Sequence, residues 1–425
     1  MNRPPHEANV AEQTEHSING GGLKFDYFSP NEKHRFNVFA SAQHINRDSY
    51  YGGGQDPNAY GNTTDLNWMA GSQYVYSFGK CIFMPADLTA GIEFNQDKLE
   101  DNMWGYHRTV DQKVNIGSAF FQNEWKNEHW GFLIGGRLDK HNLIDHVIFS
   151  PRANLRYNPT ENINLRFSYS SGFRAPQAFD EDLHVENVGG NVAMVELADN
   201  LKEERSQSLS VSADIYHRFG AFQVNFLVEG FYTKLSDVFA LTDGEIVDGI
   251  LTRTRYNAPG ARVMGLTLEG KMAYLTKFQL QAGITLQQSH YSEPHVWNKE
   301  APAVKKMMRT PNTYGYFTAT YTPIKPLSIA LSGTYTGSML VPHEPVPGFL
   351  EKPITVNTKD FFDIGLKAAY DFKLYKSMNL QVNAGVQNIF NAYQNDFDKG
   401  ADRDSGYIYG PSLPRSFFAG VKISY

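Results

Sequence analysis

The sequence is poor in the features that mark disulfide-bonded domains, zinc sites and helical membrane proteins. Its 425 residues include one cysteine, Cys81, so the chain forms no internal disulfide bond and no thiolate zinc cluster. No apolar run approaches the ~18 residues that a membrane-spanning helix needs. The net charge of −6 is scattered along the chain. A scattered charge gives no indication of a nucleic-acid surface, so we expect no nucleic-acid partner.

Sequence signatures of catalysis are also missing. The chain holds no H-E-x-x-H, no G-x-S-x-G, no P-loop and no strand-flanked G-x-G-x-x-G motif. We therefore expect a protein that is not an enzyme and that carries no intrinsic cofactor.

What the sequence does contain is alternation of apolar and polar residues. Ile163, Leu165, Phe167 and Tyr169 fall on one face of an extended segment, and the polar residues between them fall on the other. The same period of two recurs at residues 208–215, 279–287, 327–336, 380–387 and 417–425. This pattern predicts an all-β protein.

Strand length and connection length separate a membrane barrel from a soluble sandwich. Many predicted strands run for ~11 to 15 residues, whereas soluble strands cluster near 5 or 6, and a tilted strand needs about 9 to 11 to cross a bilayer. Short turns alternate with long connections, as in outer-membrane barrels. Aromatic residues gather at the short-turn ends, which is typical of a membrane girdle. We therefore predict a transmembrane antiparallel β-barrel with its C-terminus, Tyr425, on the periplasmic side.

The number of predicted strands indicates that this chain is part of a larger barrel. We count about 17 strands from residue 22 to the C-terminus, whereas bacterial single-chain barrels have an even number. Counting back from the periplasmic end makes residues 1–20 an external loop, and these residues contain no signal peptide. We interpret residues 1–425 as the C-terminal part of a 22-stranded barrel that lacks its first strands and its plug.

Three motifs resemble those of TonB-dependent outer-membrane receptors. They are Gly172–Phe173–Arg174–Ala175–Pro176, the segment Asn388–Ile389–Phe390–Asn391 before the last long connection, and the final strand with its terminal aromatic residue. The sequence is similar to those of the siderophore, vitamin and haem receptor branch found in Bacteroidetes-type bacteria. The resemblance implies energised import of a ferric siderophore, haem or cobalamin-like ligand. It also implies coupling to the TonB–ExbB–ExbD complex through an N-terminal plug region.

The candidate ligand-binding residues are Arg174 and His184. A guanidinium can bind a ligand or pair with a neighbouring carboxylate, and a neutral imidazole can ligate haem iron. The haem receptors of the family pair an axial histidine with a downstream N-P-(D/N)-L motif, but the corresponding residues here are Ala198–Asp199–Asn200–Leu201. His184 is therefore either a haem ligand or an ordinary loop histidine.

Two charged loop segments are further candidates. Oxygen ligands could hold Ca²⁺, and one external loop contains the four aspartates Asp396, Asp398, Asp402 and Asp404. The basic residues Lys305, Lys306 and Arg309 could attract an anionic ligand or a lipopolysaccharide phosphate. Each segment could equally be a solvated loop.

The sequence leaves three functional classes open. The first is a monomeric TonB-dependent receptor in the bacterial outer membrane, in contact with lipid and lipopolysaccharide. The second is a passive porin-like channel, and the third is a soluble all-β sugar-binding or adhesion protein. A plug with a TonB box would exclude the porin, and a detergent-free soluble monomer would exclude the barrel.

Overall fold

The computed structural model describes residues 3–188, 191–375 and 377–425, and within them the chain is almost entirely β-structure. One helical turn, α1 (Asp180–Leu183), and two 3-10 turns interrupt it. Within these residues no helix is long and apolar enough to cross a membrane. The strands of the described residues are β1 (Val10–Phe28), β2 (His34–Gly53), β3 (Tyr60–Cys81), β4 (Met84–Met103), β5 (Arg108–Lys126), β6 (Trp130–His141), β7 (Ile148–Thr160), β8 (Ile163–Arg174), β9 (Glu186–Val188), β10 (Asn191–Leu197), β11 (Glu204–Phe219), β12 (Phe222–Val247), β13 (Ile250–Tyr274), β14 (Phe278–His295), β15 (Val304–Lys306), β16 (Thr313–Ile324), β17 (Leu327–Thr336), β18 (Leu340–His343), β19 (Ile354–Asn357), β20 (Phe361–Tyr375), β21 (Met378–Gln387) and β22 (Ser416–Ser424).

Seventeen of these strands form one antiparallel meander, which confirms the predicted count. They are β1–β8, β11–β14, β16, β17 and β20–β22, and each pairs with the next along the chain. The other five strands are short and lie in the long connections. The total of 22 strands is therefore not the number of strands in the barrel wall. One of them, β10, pairs in parallel with the extended end of β13. In the described part of the chain, β1 pairs with β2 alone and β22 with β21 alone, so the sheet is open between them.

The prediction of an external loop over residues 1–20 is wrong for residues 10–20. Strand β1 begins at Val10, which pairs with Gly53 of β2, and the ladder continues without a break to Phe28. Backbone hydrogen bonds extend the strand here without an apolar face. The alternation that marks membrane-facing residues is therefore absent from a segment that is nevertheless a strand.

The two ends of the barrel differ. At one end the connections are tight turns, and Ser424 lies there because it pairs with Asn379 just after the β20–β21 turn. We call this the tight-turn end. At the opposite end, the long-loop end, lie the connections over residues 175–203, 296–312, 337–360 and 388–415. Several strands continue into this end, so that β12 and β13 reach 26 and 25 residues.

Alternation along the strands separates an apolar outer face from a polar inner one. On β11, Leu209 and Val211 are exposed, while Ser208 and Ser210, which alternate with them, are half-buried. On the inner face, charged side chains form hydrogen bonds, some of them between strands on either side of a third strand. Arg137 of β6 donates to Glu93 of β4 at 2.8 Å and to Asp139 at 2.7 Å. Polar residues inside and apolar residues outside are what a membrane barrel requires.

Candidate functional site

The connection that follows β8 crosses the long-loop end of the barrel. We call residues 175–188 the strap. Its first half is fixed to β5 and β6: the backbone N–H of Ala178 donates to Gln112 Oε1 at 2.7 Å, and Gln177 Oε1 lies 3.2 Å from Nε2 of His141. The strap then continues past β2, where Arg47 Nη1 lies 2.6 Å from Asp180 Oδ1.

A buried ionic cluster holds the strap against β2, β4 and β5. Arg47, Asp101 and Arg108 are all less than a tenth exposed. Arg108 Nη2 donates to Asp101 Oδ2 at 2.7 Å and to the backbone carbonyl of Leu183 at 2.7 Å. Thr63 Oγ1 donates to the other oxygen of Asp101 at 2.6 Å. Asp101 is therefore the carboxylate partner of buried Arg108 and lies 3.8 Å from Arg47, whose closer partner is Asp180.

The far side of the strap is bound to β13. Arg255 contacts the carboxylates of both Glu181, at 3.0 Å, and Asp182. The hydrogen bond from Arg174 holds the pKa of Glu181 below its usual range, whereas burial raises the pKa of Asp182. The strap therefore runs from β2 and β5 to β13, which are on different sides of the barrel.

Arg174 lies at the base of the strap and stabilises it. Its Nη2 donates to Glu181 Oε1 at 2.5 Å, and its guanidinium lies 4.0 Å from the ring centre of Phe179. The structure thus gives Arg174 the carboxylate partner that its guanidinium chemistry favours, and also exposes it to the cavity described below. Direct ligand contact by Arg174 stays a prediction.

His184 lies on the other side of the strap and does not line that cavity. Its Nε2 is 3.1 Å from a carboxylate oxygen of Glu12 on β1, and its ring packs edge-on against Tyr51 at 5.2 Å. Val185, next to it, belongs to an apolar cluster with Tyr50, Tyr51 and Met103. Haem ligation by His184 stays a prediction.

A cavity of about 370 Å³ opens between the strap and the last long connection. It is the candidate ligand site, since ligand pockets are concave and combine apolar walls with a few polar groups. The strap provides Glu181 and Glu186, and Asp404 and Gly406 face them from the last connection. The remaining lining comes from the end of β8, from strands β12–β14 and from two further connections: Arg174, Phe239, Ala240, Leu241, Arg253, Arg255, Tyr291, His295, Trp297, Met308, Arg309, Pro342 and Glu344.

Most charges of this cavity are paired. Arg253 lies 2.6 Å from Glu186 and 3.3 Å from Glu344, and Arg255 and Arg174 share Glu181. Arg309 instead donates to two backbone carbonyl oxygens of the last connection, those of Gly406 at 2.5 Å and Ile408 at 2.8 Å. The lining is therefore rich in oriented donors but close to balanced in charge.

Three of the four aspartates of the last connection have hydrogen-bond partners, whereas Asp402 is exposed. Asp398 lies 2.9 Å from His343 Nε2, Asp396 accepts the Tyr409 hydroxyl at 2.6 Å, and Asp404 accepts the backbone N–H groups of Glu344 and Gly406. Burial raises the pKa of Asp404. Among the described residues, no group of three or more His, Cys, Asp or Glu side chains is arranged to hold a metal ion. Calcium binding by these aspartates stays a prediction from the sequence.

The sequence analysis missed the residues that form most of the cavity. Arg253 and Arg255 are two apart on one strand, so they share a face. That spacing could have indicated a pair of arginines on one face of the strand. Trp297 gave no signal of its own, because its position in the cavity depends on where four separate connections meet.

A long antiparallel meander with an apolar exterior, a polar interior and its long connections at one end defines the class of large outer-membrane β-barrels. The model of the family "TonB dependent receptor-like, beta-barrel" matches residues 6–389. The chain therefore belongs to this family, whose members are outer-membrane barrels. None of the curated proteins matches the sequence.

Solved structures with the same fold include three iron-chelate receptors. The siderophore receptor PirA from Acinetobacter baumannii is 14% identical over 97% of this chain and 63% of its own, with a TM-score of 0.73. The ferric-catecholate import receptor Fiu from K12 E. coli is 14% identical over 96% and 64%, with a TM-score of 0.70. A mutant ferric enterobactin receptor from Pseudomonas aeruginosa (PfeA), in complex with enterobactin, is 16% identical over 96% and 62%, with a TM-score of 0.72. This chain thus spans less than two thirds of the length of these structures, and the likeness shows the fold.

Proposed function

We propose that this chain is the ligand-binding barrel of a receptor that imports a scarce metal chelate across the outer membrane. The observation that carries the proposal is the cavity at the long-loop end, enclosed by the strap and the last connection and lined with oriented arginines. Arginine suits planar oxygen groups, because its fork donates two parallel hydrogen bonds.

In the proposed orientation, the long-loop end faces the medium and the C-terminus lies on the periplasmic side. Exposed aromatic rings at the tight-turn end support it: Trp130 packs 4.2 Å from Tyr157, and Phe83 stacks on Trp125 at 5.5 Å. Such rings favour the membrane boundary. The outer surface would contact lipid and lipopolysaccharide, and the barrel would act as a monomer.

Import in this family is coupled to the TonB–ExbB–ExbD complex through a plug region N-terminal to the barrel. We propose the same coupling for the protein to which this barrel belongs. Among the possible ligands, a ferric siderophore is favoured over haem and cobalamin. The named functions of the three structural relatives support this choice, and so does the position of His184 outside the lining of the cavity.

The test is uptake of radioactive iron by cells that carry the intact gene, its deletion, or the gene in a strain without TonB. We expect chelate-dependent uptake that disappears in both the deletion and the TonB-deficient strain. Uptake that persists without TonB would support the porin instead. Recovery of the protein in the soluble fraction, without heat-modifiable migration in detergent gels, would refute the membrane barrel.

A further inference from the structure

A row of basic residues crosses the outer face of the barrel wall near the long-loop end. Lys234 of β12 lies directly opposite Arg262 of β13. The same row continues from Arg262 to His290 of β14 and to Lys306 of β15. Residues opposite each other point to the same side of a sheet. That side is the outer one, because Arg262 is two residues from Met264, an exposed apolar residue. We call these four residues the basic row.

The two opposed cations of the basic row have no counter-ion among the described residues. Lys234 and Arg262 are exposed, and in the ranges that the structure describes no carboxylate lies within ion-pair distance of either. Like charges directly opposite each other on neighbouring strands are destabilising. The opposed lysines Lys98 and Lys113 of β4 and β5 differ, because Lys98 forms an ion pair with Glu100. The basic row is therefore a surface that an anion would stabilise.

An apolar groove lies on the same face, next to the basic row and towards the tight-turn end. Gly230 of β12 lies between Val211 of β11 and Leu266 of β13, which are directly opposite it. A Cβ on Gly230 would meet nothing within 4 Å, so the missing side chain leaves a gap in the wall. This gap is part of a groove of about 790 Å³. Its outer-face lining is mostly apolar: Leu209, Val211, Tyr232, Met264, Leu266, Leu286 and Gln288.

The basic row lies at the edge of the apolar band, on the side of the long-loop end. The outer face of β11 runs from Leu209 to Phe219, where the strand ends at a tight turn. This stretch has about the 9 to 11 residues that a tilted strand needs to cross a bilayer. Tyr232, directly opposite Leu209, is exposed, and tyrosine favours the membrane boundary. In the orientation proposed above, the basic row therefore lies among the headgroups of the outer leaflet.

We propose that the basic row and the groove at Gly230 form one binding site for lipopolysaccharide. Its lipid phosphates contact Lys234 and Arg262, and one of its acyl chains lies in the groove. Lysine and arginine bind phosphate oxygens through charge-assisted hydrogen bonds. The acyl chain fills the gap that Gly230 leaves, so the two parts of one lipid meet the two parts of the site.

The width of the basic row favours lipopolysaccharide over a phospholipid. Neighbouring strands lie ~4.8 Å apart, so a row from β12 to β15 extends over roughly 14 Å. A phospholipid places a single phosphate on a narrow headgroup, whereas lipopolysaccharide has a broad headgroup with several anionic groups. The site is separate from the cavity, since none of the residues assigned to it lines the cavity. The inference rests on the proposed orientation and not on the imported ligand.

The test uses the intact receptor, purified in detergent and freed of lipopolysaccharide. The three probes are lipopolysaccharide, the same lipopolysaccharide after chemical removal of its phosphates, and phosphatidylglycerol. Lys234→Gln and Arg262→Gln, alone and together, remove the charges, whereas Gly230→Leu fills the groove and leaves the charges in place. The matched controls are Lys113→Gln and Gly117→Leu on the outer face of β5. Gly117 also has nothing within 4 Å of the position of a Cβ.

We expect each single charge variant to weaken lipopolysaccharide binding roughly 5-fold and the double variant roughly 25-fold, the loss expected for basic residues at a charged membrane surface. Gly230→Leu should weaken binding as well, and both control variants should match the wild type. Lipopolysaccharide without phosphates should bind the wild type as weakly as intact lipopolysaccharide binds the double variant. Added lipopolysaccharide should raise the unfolding temperature of the wild type more than that of the double variant, because a ligand stabilises the state that binds it.

Four results would overturn the inference. They are wild-type affinity of the double variant, equal loss in the control variants, equal binding of the two forms of lipopolysaccharide by the wild type, and tighter binding of phosphatidylglycerol than of lipopolysaccharide. The last result would assign the site to a phospholipid. Because the comparison of the two forms of lipopolysaccharide uses the wild type alone, it decides the question even where a variant fails to fold.

Discussion

The guanidinium of Arg174 lies 2.5 Å from the carboxylate of Glu181 and 4.0 Å from the ring centre of Phe179, so one side chain at the end of β8 contacts the start of the helical turn in the strap. Both charged groups are partly exposed, and such pairs contribute little to global stability. Their effect is therefore expected on the strap itself.

Replacing Arg174 by alanine should loosen the strap without unfolding the barrel. The expected change in the free energy of unfolding is about 1 kcal/mol or less, as for other exposed ion pairs. Limited proteolysis should nevertheless cleave residues 175–188 faster than in the wild type. Lys98→Ala removes a similarly exposed ion pair, with Glu100, outside the strap and is the control. Equal cleavage in the two variants would contradict the role of Arg174.

The strap should resist acid until the pH falls below the usual range for a glutamate. The hydrogen bond from Arg174 lowers the pKa of Glu181, so its contribution is complete above the unfolded pKa of about 4.3 and is lost as the pH falls through the lower folded value. Pepsin cleavage of the strap, measured across the acidic range relative to an unfolded substrate, reports this loss. Burial raises the pKa of neighbouring Asp182, so protonation of Asp182 favours the folded strap and gives no acid-induced loss. A Glu181→Gln variant that keeps the same acidic step would contradict the assignment of the step to Glu181.

Asp101→Asn should destabilise the long-loop end strongly. It leaves the buried guanidinium of Arg108 without its carboxylate partner and leaves Arg47 with Asp180 alone, and breaking a buried pair costs about 3–5 kcal/mol. Thermal unfolding in detergent, followed by gel migration of unheated samples, measures the effect. Asp111→Asn changes an exposed carboxylate on neighbouring β5 and should have little effect. An Asp101→Asn variant with wild-type stability would show that the cluster is not the anchor of the strap.

Glycines beneath aromatic rings should tolerate no side chain. A Cβ on Gly91 would lie 2.4 Å from the Phe120 ring and 2.6 Å from the Ser72 carbonyl oxygen, and the carbonyl cannot move without disturbing the sheet. Gly91→Ala should therefore cost about 1–3 kcal/mol, as overpacking does. Gly117→Ala, on the next strand, meets nothing within 4 Å and is the matched control. Similar stability of the two variants would contradict this packing.

The outer face of β11 should reject charge and the inner face should accept it. Val211 is 54% exposed on the apolar face, so Val211→Arg should cost about 2–4 kcal/mol if it lies near the bilayer centre. Ser210→Arg adds the same group to the polar face, one residue away. Folding yield into lipid vesicles, assayed by heat-modifiable migration, compares the two. Equal yields would indicate that β11 does not face lipid.

The sequence determined the local features of this protein by itself. Alternation such as Leu209 and Val211 against Ser208 and Ser210 predicts strands and their outer face, because side chains alternate along any extended backbone. The resulting count of seventeen strands is confirmed, and the family motif at Arg174 was recognisable before any contact was known. Polar residues 10–20 escaped the same reasoning, since a strand beyond the apolar band is held by its backbone hydrogen bonds.

Only the tertiary structure decided where the strap goes and what lines the cavity. Glu181 could have paired with many cations, and its selection by Arg174 and Arg255 depends on the barrel bringing β8 and β13 to the same strap. Arg309 donates to the carbonyl of Gly406, 97 residues later in the chain. Such contacts depend on the curvature of the whole sheet and on the folding of four long connections, and no local pattern of residues encodes either.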